Sequence, residues 1–95
     1  MKNFNNKVAA ITGAGSGIGQ QLAILLAHQG CHLSLSDINA QGLARTTELL
    51  SNCPVKVTTQ VLDVSNREAV KNWAAATVKD HGSVNLIFNN AGVAL

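Results

Sequence analysis

Ninety-five residues, 46 % hydrophobic and 13 % charged, are enough for one small packed domain; they exclude a second domain and argue against a disordered chain. Seven basic residues against five acidic ones leave a net charge of +2. The basic positions Lys2, Lys7, Arg45, Lys56, Arg67, Lys71 and Lys79 are scattered, so no nucleic-acid surface is expected. The longest apolar run, Leu22 to Ala27, falls far short of the roughly 20 residues of a membrane span, and no membrane partner is expected. The amino terminus is polar and has no secretory-signal pattern, which makes cytoplasmic the expected location. Cys31 and Cys53 lack metal-ligand spacing and disulfide density and are expected as reduced, buried thiols.

In chain order, Lys7 to Thr12 is a short apolar segment closed by glycines, as in a strand buried on both faces. From Ile18 a helix follows, with Ile18, Leu22, Leu25, Leu26 and Gln29 on one face and Gly30 as its stop. Cys31 to Ser36 predicts a second strand with Asp37 at its carboxyl end. Asn39 predicts the cap of a helix carrying Leu43, Thr47 and Leu50, which ends near Asn52 ahead of Pro54. Val55 to Leu62, rich in β-branched residues, predicts a third strand. Ser65 and Glu68 carry the spacing of a capping box before a helix whose face is Val70, Trp73, Ala74, Thr77 and Val78, with Gly82 after its last turn. Val84 to Phe88 predicts a fourth strand.

Strands alternating with helices imply a parallel, doubly wound α/β sheet, here in the order 3-2-1-4, with the first two helices on one face and the third on the other. Ligands of such sheets bind beyond the carboxyl ends of the strands where the strand order reverses. Thr12-Gly13, Asp37, Asp63 and Asn89-Asn90-Ala91-Gly92 all fall at those ends. Gly13-Ala14-Gly15-Ser16-Gly17-Ile18-Gly19 lies between a strand and a helix, where glycines let backbone approach a diphosphate and helix N–H groups meet its charge. Its spacing departs from G-x-G-x-x-G, and no Lys-Ser or Lys-Thr follows it as in a phosphate-binding P-loop. Each segment alone has a plainer account: glycines as turn punctuation, Asp37 and Asp63 as solvated loop residues, Asn89-Asn90 as a turn. Their joint placement favours a dinucleotide site. His28, Cys31 and His32 are not expected to bind metal, because Gly30 interrupts them and no carboxylate joins.

With Thr12, Gly13, Gly17 and Gly19 spaced as T-G-x-x-x-G-x-G, Asp37 after the second strand, Asp63-Val64 after the third and Asn89-Asn90-Ala91-Gly92 after the fourth, the chain resembles the amino-terminal part of the short-chain dehydrogenase/reductase family over nearly its whole length. The epimerase branch, T-G-x-x-G-x-x-G, fits less well because Ser16 stands at its middle glycine. The resemblance implies a Rossmann-like domain over residues 1–95, incomplete, in which Gly13, Gly17 and Gly19 shape a diphosphate turn and Ser16 and Ile18 contact the phosphates and nicotinamide. It also implies that Asp37 accepts hydrogen bonds from the adenosine ribose, that Asp63 and Val64 flank the adenine, and that Asn90, Ala91 and Gly92 line the path to the nicotinamide ribose. A carboxylate at Asp37, with no Arg or Lys at Ala14, Ser16 or Ile38, favours NAD over NADP.

Family members move hydride between the nicotinamide and an alcohol or carbonyl carbon with a Tyr, a Lys and a Ser. This chain has no Tyr, and its His residues fall away from the nicotinamide edge, so no catalytic residue is assigned here. The expectation is the cofactor-binding part of an NAD-dependent oxidoreductase, a fragment or truncated product, inactive alone; the alternative is a free-standing nucleotide-binding or regulatory module that pairs with another chain. A small alcohol or carbonyl substrate and a homo-oligomeric state are implied only for a complete relative, and the fourth strand is expected as an open apolar edge.

Overall fold

The computed structural model describes residues 4–90. Its elements are β1 (Val8–Thr12), α1 (Gly17–His28), β2 (His32–Asp37), α2 (Ala40–Leu49), β3 (Val57–Val61), α3 (Arg67–His81) and β4 (Leu86–Phe88). The four strands form one sheet in the order β3-β2-β1-β4, and every neighbouring pair is parallel. β1 is central and buried at all five positions, whereas β3 at one edge is partly buried to exposed.

Strand alternation divides the core between two faces. Ala9, Ile11, Leu33 and Leu35 turn to the side of α1 and α2 and pack with Ala23, Leu26, Ala27, Leu43 and Leu50. Ala10 turns to the other side, where Leu62 and Trp73 of the α3 layer meet it. A buried Ser34 Oγ···Thr77 Oγ1 hydrogen bond of 2.6 Å fastens α3 to β2 through that thinner layer. The strand order, the helix layering and the burial of Trp73 agree with the sequence pattern.

Several local expectations need correction. The buried stripe of α1 is Gly19, Ala23, Leu26 and Ala27, while Ile18 and Leu25 are 76 % and 63 % exposed. Small residues let the helix axis lie close on β1 and β2, and the large apolar residues are left on the flank. In α2 the inward threonine is Thr46 and Thr47 is exposed, with Leu50 as the buried C-cap. The capping box does not form: Asn66 is the N-cap of α3, its side chain accepting from Ala69 N–H, and Ser65 instead hydrogen-bonds Asp63. Ala74 and Val78 of α3 are exposed. Gly82 ends α3 in the left-handed conformation, as its position predicted. β3 starts at Val57 and β4 at Leu86, each two residues later than the composition predicted. His32 opens β2. Cys31 is buried and Cys53 half-buried, and both thiols are free; burial pushes the Cys31 thiol pKa up, against a smaller lowering by Ala9 backbone.

Candidate functional site

The carboxyl end of β1 turns sharply because Gly13 and Gly17 adopt φ of +66° and +56°, a region that disfavours side-chain-bearing residues. Between them the chain doubles back so closely that a Cβ at Gly19 would stand 2.1 Å from the Gly13 carbonyl oxygen. At Gly17 a Cβ would meet nothing within 4 Å, so that backbone borders open space. Ser16 is the N-cap of α1 but makes no side-chain capping bond, and the first turn carries no acidic residue. α2 and α3 are capped by Asn39 and Asn66. Among the described residues the positive end of α1 is thus left without a side-chain acceptor, beside a backbone that a ligand can approach.

The end of β4 closes the turn from the other side. Asn90 donates its backbone N–H to Thr12 Oγ1 at 2.8 Å and its side-chain amide to the Gly13 carbonyl at 3.3 Å. The Thr12 hydroxyl lies 3.4 Å from the Phe88 carbonyl oxygen. Asp37, half-buried at the last position of β2, accepts the Gly15 N–H on Oδ2 at 2.7 Å and the Asn39 N–H on Oδ1 at 3.0 Å. Each oxygen retains a second acceptor site. Two contributors from α2 escaped the sequence: Gly42, where a Cβ would lie 2.6 Å from the Gly15 carbonyl oxygen, and Thr46, whose hydroxyl reaches the Ala14 carbonyl at 2.7 Å. The available signal was Gly42 itself, since a glycine inside a helix costs about 1 kcal/mol relative to alanine and calls for a packing reason.

Gly13, Gly19, Asp37 and Asn90 therefore meet around one turn, with Ser16, Gly17 and Ile18 exposed at the start of α1. Asp63 stands apart from their hydrogen bonds. It follows Leu62, whose N–H bonds the Asp37 carbonyl at 3.0 Å, but its exposed carboxylate accepts from the backbone and hydroxyl of Ser65. Those bonds, backbone first, hold its pKa below the ordinary carboxylate value. Val64 is half-buried against the Trp73 cluster. Ala91 and Gly92 lie outside the described residues. Among the described residues no three His, Cys, Asp or Glu side chains are placed to hold a metal, and no helix is long and apolar enough to cross a membrane.

A model of the short chain dehydrogenase family matches residues 7–95. The chain belongs to the short-chain dehydrogenase family. Among its relatives, SadH of Mycobacterium tuberculosis is 47 % identical over 94 residues, which are 99 % of this chain and 34 % of that protein. A crystal structure of NAD+-bound xylitol dehydrogenase superposes with a TM-score of 0.91 at 37 % identity, covering 96 % of this chain and 35 % of that one. A short-chain dehydrogenase/reductase from Burkholderia phymatum, solved with NAD, gives 0.86 at 40 % identity, covering 92 % and 31 %. The chain thus spans about a third of the length of the short-chain dehydrogenases it matches.

Proposed function

We propose that this chain is the NAD-binding part of a short-chain dehydrogenase acting on an alcohol or carbonyl compound. The observation that carries the proposal is the Asp37 carboxylate, hydrogen-bonded to the glycine turn at Gly15 and set beside an α1 amino terminus whose N-cap, Ser16, makes no side-chain capping bond. The open space over Gly17 admits a diphosphate to the α1 N–H groups, and the spare acceptor sites of Asp37 suit the paired hydroxyls of a ribose. Gly13 and Gly19 give the turn its closure, and Ser16 and Ile18, exposed at its rim, would border the phosphates and the nicotinamide. Asp63 and Val64 would flank the adenine; Asn90, with Ala91 and Gly92 beyond it, would lead toward the nicotinamide ribose.

When bound, the nicotinamide supplies a carbon that takes up or releases hydride. This chain's residues would bind and orient it. No Tyr exists here to exchange a proton with a substrate hydroxyl, so the 95 residues alone are proposed to be inactive. The extra phosphate of NADP would bring negative charge against Asp37, where the neighbouring Ile38 offers no cation, and NAD is the proposed partner.

Isothermal titration of the purified chain with NAD and NADP tests this. NAD is expected to bind at least about tenfold more tightly, a difference of 1.4 kcal/mol, and Asp37→Ala to abolish the preference. Equal affinity for the two, or no NAD binding, would overturn the proposal. Steady turnover of secondary alcohols with NAD by this chain would overturn the inactivity.

A further inference from the structure

We infer that Thr46, seated by Gln20, is a positioning residue that locks the glycine turn into its ligand-ready shape; this rests on the nucleotide-site reading above. Thr46 is wholly buried in α2, far along the chain from the turn. Its Oγ1 lies 2.7 Å from the Ala14 carbonyl oxygen and 3.1 Å from its own helix's Gly42 carbonyl, and it accepts the Gln20 side-chain amide of α1 at 2.9 Å. A hydroxyl has one proton to give, and the shorter contact assigns it to Ala14.

The Ala14 carbonyl and the Gly15 N–H are opposite edges of one rigid peptide plane. Thr46 holds the carbonyl edge and Asp37 Oδ2 holds the N–H edge at 2.7 Å. Held at both edges, this plane cannot rotate, in a stretch where glycines would otherwise leave it free. The Gln20 bond ties the same hydroxyl to the first turns of α1, so the turn, α1 and α2 share one fastening. Contact between Gly42 and Gly15 leaves no room for a side chain between the turn and α2, which brings Thr46 within reach. The turn therefore does not wait for a ligand to acquire its shape, and binding would not bear that ordering cost.

The test compares Thr46→Val, which keeps the shape and deletes the hydroxyl, with Thr46→Ser, which restores it. In the ligand-free chain, amide hydrogen exchange at Gly15 should quicken about tenfold in Thr46→Val relative to Ala10 of β1, the order expected for one lost buried hydrogen bond, and return in Thr46→Ser. ADP affinity should fall by a similar factor, while adenosine, which lacks the diphosphate, should bind as before. A general loss of stability would instead quicken Ala10 alongside Gly15 and weaken both ligands, and would overturn the positioning role. So would unchanged Gly15 exchange with unchanged ADP affinity. If the wild-type chain binds neither ADP nor adenosine, the nucleotide reading falls, and Gly15 exchange still decides whether Thr46 holds the peptide. Should Thr46→Val not fold, Gln20→Leu takes its place: a smaller rise in Gly15 exchange is expected, and no rise overturns the inference.

Discussion

Gly19→Ala is the sharpest structural test of the turn. The added Cβ would lie 2.1 Å from the Gly13 carbonyl oxygen, 2.8 Å from the Gly13 carbonyl carbon and 2.8 Å from the Asn90 amide nitrogen. Ordinary contact begins near 3.4 Å, so the first turn of α1 and the end of β1 must part by more than an ångström. Both obstacles at Gly13 are backbone and cannot rotate away. Overpacking of this kind costs about 3 kcal/mol, of which the better helix propensity of alanine returns at most about 1 kcal/mol. A net loss of about 2 kcal/mol is a large part of the roughly 5–14 kcal/mol expected of a chain this size, and it should lower the urea midpoint by about 1–2 M. Gly17→Ala is the control. It too sits in the turn, but its Cβ meets nothing and only its φ of +56° is penalised, by about 1 kcal/mol. Urea unfolding followed by circular dichroism ranks the two. A Gly19→Ala midpoint at or above wild type, or a larger loss in Gly17→Ala, would refute the close approach.

Two further expectations concern α3. Asn66→Ala should destabilise the chain by about 1 kcal/mol, the worth of a side-chain N-cap, whereas Ser65→Ala should cost less than half of that; the reverse ranking in urea unfolding would restore the capping box. His81, whose Nε2 lies 2.8 Å from Thr58 Oγ1, is held below its ordinary pKa of 6.5 by burial first and then by the Lys56 charge and, more weakly, His32, with Asp80 opposing. The unfolded chain therefore takes up this proton more readily. The stabilising contribution is complete above pH 6.5 and is lost as pH falls through the lower folded value. The urea midpoint should decline on acidification from about pH 7, and His81→Gln should flatten that decline; an unchanged slope in the variant would contradict the assignment.

Sequence periodicity was enough for the element types, the strand order and the side of the sheet each helix covers, because buried parallel strands and amphipathic helices write those features into neighbouring residues. It was insufficient for helix phase. In α1 the large residues Ile18 and Leu25 looked inward, yet depth of seating is set by Gly19, Ala23 and Ala27, whose smallness matters only once β1 lies beneath them. In α2, Thr46 and Thr47 are chemically alike, and Gly42 against the Gly15 backbone decides which one faces the turn. The positions of Asp37 and Asn90 at strand ends were legible, but the bond from Asp37 to Gly15 and that from Asn90 to Gly13 depend on tertiary approach. Asp63 shows the converse, a strand-end carboxylate engaged only with its near neighbour Ser65.

The two bonds from Asn90 have a kinetic consequence. They join residues 78 and 77 positions apart, and the strand pairing beneath them, β1 with β4, is the most non-local in the sheet. Closing so long a loop is costly in entropy and is recovered only when the distant segments have docked. The glycine turn therefore receives these fastenings only once β4 has docked. Refolding should show β1, β2 and their helices gaining protection before the Asn90 N–H does, and that lag should persist in Asn90→Ala, which deletes only the side-chain bond to Gly13 and leaves the backbone bond to Thr12.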